Sequence, residues 1–215
     1  MRDDAAMSND HPAAELATLA NDVRVLCIPQ AQRRTADVGV YVRTGSAHES
    51  RADNGISHVL EHMAFKGTAT RDVHRVNLDA ERLGAEVNAH TDKDHTAYTM
   101  RGLGRDAPAF VAMLADIVCH ATFPADELER ERAVILQEVA EVEDDPMTVA
   151  YQLFDHACWG LHPAALPVIG QRRHIERFTR AELQAYVGRQ YTGANVVVAA
   201  AGAIDPAAIV RAAEA

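Results

Sequence analysis

The chain has 215 residues, 48% apolar but only 5% aromatic, so aliphatic side chains can fill one large core. A net charge of −10 without any basic cluster argues against nucleic acid or an anionic membrane as partner and suits basic peptides. Met1–Asp10 is acidic and lacks an apolar stretch, so neither a secretory signal nor an Arg-rich transit peptide is read there. No later run is long enough to span a membrane, which makes a cytoplasmic location the expectation. Residues 1–22 read as an N-terminal extension, poorly ordered or packed at an edge, and 23–215 as one domain. Cys27, Cys119 and Cys158 are odd in number and widely spaced, which predicts buried free thiols.

In chain order, strands are expected at 23–28 and 35–44, helices at 55–66 and 71–83, and strands at 85–91 and 95–102. Helices follow at 107–120, 124–143, 147–159 and 180–189, then a strand at 195–201 and a last helix from Asp205-Pro206. The runs Thr35–Thr44 and Asn195–Gly202 are β-branched and bounded by glycine, as central strands are. Hairpins mixed with helices imply an α+β fold, a mainly antiparallel mixed sheet with helices packed on it.

The helix at 55–66 carries the pattern H-x-x-E-H, His58-Val-Leu-Glu61-His62. At 3.6 residues per turn, His58 and His62 project from one side a turn apart with Glu61 beside them. Ile56, Val59, Leu60, Met63 and Ala64 take the spacing of a buried stripe and leave the arc of His58, Glu61, His62 and Phe65 free. Asp53-Asn54-Gly55 supplies a turn and a side-chain oxygen to cap the helix, and Lys66-Gly67 the stop. Two imidazoles are good zinc ligands, a nearby carboxylate can take a proton from water, and the order is that of the inverzincins. In a chain with 11 histidines such a pattern needs a third ligand.

That ligand is sought on the long helix 124–143, which has Pro124 at its start, strong helix formers throughout and Asp144-Asp145-Pro146 at its end. Glu127, Glu129, Glu141 and Glu143 read as a solvated face. Glu131 and Glu138 lie seven residues apart on a side flanked by Val134, Ile135 and Val142, the placement of partly buried carboxylates with partners. Residues 84–98 read as strand, polar turn and strand, with His90 and His95 as exposed polar positions.

The stretch Gly45-Ser-Ala-His-Glu49 followed by Asn54-Gly-Ile-Ser-His-Val-Leu-Glu-His-Met-Ala-Phe-Lys-Gly-Thr68 resembles the N-terminal domain of the M16 metallopeptidases, the pitrilysin, insulysin and mitochondrial processing peptidase group. The resemblance runs from about Val23 to Gly202. It implies that His58, His62 and Glu138, 76 residues beyond His62, bind one Zn2+ per chain. Glu61 is then the general base and Glu131 an auxiliary acidic residue. Asn88, Ala89 and Thr91 help hold an extended substrate peptide on an edge strand, while Asp94 stands where the family more often has Glu. His162-Pro163 and Leu166–Gly170 look like the loop before the family's late helices.

The implied activity is that of a zinc metalloendopeptidase. The resemblance further implies a second, similarly folded C-terminal domain or an oligomer partner, which this chain does not supply, so zinc binding with weak or absent peptidase activity is expected of the chain alone. The alternative is a non-catalytic structural or substrate-presenting subunit, as the core proteins of a respiratory complex are in this family, or an inactive fragment.

Overall fold

The computed structural model describes residues 13–215, and residues 1–12 of the expected extension lie outside them. Six strands, β1 (Glu15–Thr18), β2 (Arg24–Pro29), β3 (Thr35–Val42), β4 (Glu86–Thr91), β5 (Thr96–Leu103) and β6 (Val196–Gly202), form one sheet ordered β1-β2-β6-β3-β5-β4. β3 and β6 lie at its centre, as their composition predicts. β2 and β6 run parallel and every other neighbouring pair antiparallel. β1, inside the expected extension and without a strand signal of its own, pairs at one edge; β4 forms the other.

Period-two alternation turns Ala36, Val38, Val40 and Val42 of β3 into the interior. There α3 (Ala107–Cys119) and α8 (Pro206–Glu214) close over them with Phe110, Val111, Leu114, Ile117 and Ile209. Between β3 and β4 lie α1 (Ile56–Ala64) and α2 (Val73–Arg82); after α3 come α4 (Ala125–Asp144), α5 (Pro146–Trp159), the single turn α6 (Arg172–Ile175) and α7 (Arg180–Gln190). Apart from β1 and α6, the expected elements are present with ends shifted by up to two residues.

A nine-residue helix such as α1 is too short to be stable alone, since isolated helices under roughly 12–15 residues are marginal in water. Burial holds it. Ile56, Val59, Leu60 and Met63 pack with Leu128 and Ile135 of α4, Leu183 and Tyr186 of α7, and Ile175 and Phe178, a second core beside the sheet. Each such side chain contributes about 1.5–3 kcal/mol when fully buried. The predicted stripe is therefore the buried one, and the opposite arc faces a cleft between β4 and α4.

Candidate metal centre

The start of α1 is fixed differently from the expected cap. Neither the Asp53 nor the Asn54 side chain accepts from the first turn; Gly55 holds the cap position in the left-handed region at φ 99°. The acceptor is Glu49, only 3% exposed, whose carboxylate receives the N–H groups of Gly55 and Ser57, each at 2.8 Å, and Asn54 Nδ2 at 3.0 Å. Burial pushes the Glu49 pKa up against the pull of these donors. A negative charge at a helix N-terminus also meets the positive end of the backbone dipole. Because Glu49 lies well outside the capping offsets, its role was invisible in the sequence.

Gly55 also touches Gly170, φ 81°, where a Cβ on either residue would collide with the other's backbone. Asn54 Nδ2 donates a further bond to Pro167 O at 2.9 Å. The segment 166–170, which in the sequence looks like the loop before the late helices, thus braces the helix and supplies a wall of the cleft.

His58 and His62 point from α1 towards Glu138 of α4. His58 Nε2 lies 3.6 Å and His62 Nε2 3.4 Å from Glu138 Oε2, and the three ligand atoms cluster within 4.8 Å of one another. Bonds of about 2.0–2.2 Å in a tetrahedral shell place neighbouring donors roughly 3.3–3.6 Å apart, so the donors fit one zinc ion. Burial, with His62 next to it, lowers the His58 pKa to about 4 and keeps its imidazole neutral at neutral pH, the form that binds metal. The buried His58 Nδ1 has no hydrogen-bond partner.

His62 Nδ1–H donates to Glu131 Oε2 at 3.1 Å, which leaves Nε2 with its lone pair towards Glu138. Lys66 Nζ holds the other oxygen of Glu131 at 2.6 Å. Burial raises the Glu131 pKa, but the Lys66 and His62 bonds outweigh it and hold the carboxyl below its ordinary range. Lys66 reads in the sequence only as a helix stop. Of the residues expected to flank Glu131 and Glu138, Ile135 is buried while Val134 is exposed. Glu127, expected to be solvated, is only partly exposed and pairs with Arg130.

Glu61 lies where two clefts meet. One, of about 450 Å³, is lined by His58, Glu61, His90, Thr91, Tyr151 and Pro167 among others; the other, of about 310 Å³, by Glu61, His62, Lys66, Asn88, Ala89 and Glu131. Asn88, Ala89 and Thr91 therefore do border the site, on edge strand β4. Across the turn Asp92 N–H bonds His95 O at 2.8 Å. Antiparallel alternation then pairs residue 90 with 97 and turns the N–H and C=O of Ala89 and Thr91 outward. Asn88 Oδ1 accepts the Ala89 N–H at 2.9 Å.

Two sequence expectations are corrected at the surface. Cys27 is buried, but Cys119 and Cys158 are exposed, and all three are free. His95 is partly covered, contacting His90 and Asp94 rather than standing free.

A layered α+β domain with an H-x-x-E-H helix facing a glutamate defines a class, and comparison with known proteins agrees. The chain belongs to peptidase family M16, the insulinase family, whose model matches residues 24–172. It is 40% identical over 198 residues to an uncharacterized zinc protease of Mycobacterium tuberculosis, spanning 90% of this chain and 45% of that protein. It is 34% identical over 194 residues to subunit 1 of the bovine (Bos taurus) mitochondrial cytochrome b-c1 complex, spanning 90% of this chain and 40% of that one. Among solved structures, a protease from Helicobacter pylori superposes with a TM-score of 0.89 at 24% identity, covering 94% of this chain and 49% of that one, a likeness of fold. The chain spans less than half the length of these relatives. Among the described residues no helix is long and apolar enough to cross a membrane.

Proposed function

We propose that this chain is the zinc-binding N-terminal domain of an M16 endopeptidase acting on extended peptides. The observation that carries the reading is the convergence of His58 Nε2, His62 Nε2 and Glu138 Oε2 within 4.8 Å beside Glu61. One zinc ion, held by His58, His62 and Glu138, supplies Lewis acidity when bound, polarising a carbonyl and activating water. Glu61 accepts the proton of the attacking water and delivers it to the leaving amide nitrogen. Glu131, tied down by Lys66, fixes the tautomer and direction of the His62 ring.

Ala89 and Thr91 offer outward backbone groups to which an extended peptide can add as a further strand. Such bonds recognise backbone rather than sequence. Asn88 opens the Ala89 N–H to substrate by releasing its own side-chain bond. The M16 relatives are about twice as long, which supports a second M16-like domain or an oligomer partner as the other wall of the chamber.

The test is Glu61→Gln, assayed with a quenched peptide and metal analysis, with and without a candidate second domain. Zinc is retained and hydrolysis falls about 10²–10⁴-fold. Equal activity in the variant removes Glu61 as the base. A second reading, a non-catalytic subunit, draws on the likeness to the cytochrome b-c1 subunit; it predicts no hydrolysis by the unmutated chain under any pairing.

A further inference from the structure

The β4–β5 hairpin holds a second group of ligand-type side chains that the proposed chemistry does not use. His90, near the end of β4, and His95, just past the turn, set their rings edge to face with centroids 5.3 Å apart at 90°. Their Nε2 atoms stand 3.2 Å apart. Asp94 Oδ1 lies 2.8 Å from His95 Nδ1, and since a carboxylate only accepts, the proton sits on Nδ1 and Nε2 presents a lone pair towards His90.

This is the arrangement a metal-binding imidazole commonly has, a carboxylate on one nitrogen and the metal on the other. Two nitrogens on one tetrahedral ion, at bonds of about 2.0–2.1 Å, are roughly 3.3 Å apart, close to the spacing seen. The charge around the pair also favours a cation. Asp92, Asp94 and His95 place ligand atoms within 4.8 Å of one another. Lys93, the cation of the turn, is committed elsewhere, with Nζ 2.7 Å from Asp155 Oδ2 and 2.7 Å from Ala164 O.

We infer that His90 and His95 form a second divalent-cation site, distinct from His58, His62 and Glu138. Asp94 orients His95, and water completes the shell. Imidazole donors select zinc, nickel or copper over magnesium or calcium. With two protein ligands the site is weaker than the three-ligand centre. His90 also lines the cleft that holds His58 and Glu61.

Calorimetric titration of the full chain with Zn2+, repeated with Ni2+, tests this without reference to peptide hydrolysis. The unmutated chain takes up two equivalents, one tight and one weaker. His90→Ala and His95→Ala each lose the weaker one, Asp94→Asn weakens it about 10–100-fold, and Glu138→Ala keeps it while losing the tight one. In NMR spectra the His90 and His95 imidazole signals shift with the second equivalent in the unmutated chain, and circular dichroism checks that each variant is folded. Uptake of a single equivalent by the unmutated chain, or a weaker equivalent unchanged in folded His90→Ala and His95→Ala, overturns the proposal.

Discussion

The α1–α4 cleft and the β4–β5 turn each hold two imidazoles with carboxylates, yet in opposite settings. In the cleft the side chains of His58, His62 and Glu131 are 13%, 17% and 11% exposed, set by helices with buried stripes and backed by Lys66. At the turn the side chains of His95 and Asp94 are 33% and 80% exposed, and only the four-residue connection 92–95 positions them. A group held by a core is poised before the metal arrives, whereas one held by a turn must be ordered by it. On the proposed reading, the same residue types therefore make a strong site in one place and a weak one in the other.

The comparison breaks most sharply at the ligands. His62→Ala or Glu138→Ala is expected to abolish the tight zinc equivalent, read by metal analysis after dialysis. Stoichiometric zinc in Glu138→Ala would take that residue out of the coordination sphere. Next in size is Glu131→Gln, which keeps the shape but weakens the hold on His62 and the pairing with Lys66. Zinc affinity should fall about 10–100-fold, and an unchanged affinity would mean that α1 packing alone aims His62.

The cap gives a smaller effect, on stability. Glu49→Ala strands two backbone N–H groups and one Asn54 amide hydrogen in a buried place, at a cost of about 2 kcal/mol or more. A lower midpoint in urea unfolding checks it, and a loss within error would show that the Gly55–Gly170 contact and the core suffice to start α1. The smallest effect is in pH. Because the folded Glu49 pKa is raised, the folded state holds a proton that the unfolded state has released. This contribution is fully present below the unfolded value, about 4.3, and is lost as pH rises through the folded one. Glu49→Gln should flatten that fall; an identical pH profile would assign it to other groups.

Much of this was legible in the residues. The stripe Ile56, Val59, Leu60, Met63 placed one face of α1 in the core and so left His58, Glu61 and His62 on the other, because helical periodicity decides both at once. The β-branched run of β3 marked a central strand. What was not legible came from contacts that no helical or strand spacing encodes. Glu49 has no capping spacing to α1 until the loop between them folds, and Lys66 reads as a helix stop until α4 brings Glu131 to it. β1 is short, and its pairing with β2 rather than its own propensity makes it a strand.

The sequence by itself determined most of the elements and the face of α1 that carries the H-x-x-E-H residues, since these follow from local spacing, and its motifs carried the resemblance to the family. Only the tertiary structure decided that Lys66 meets Glu131, that β1 joins the sheet, and that Glu49 rather than Asn54 caps the helix. Spacing fixes the direction of a side chain on its own element; what stands opposite is fixed by packing.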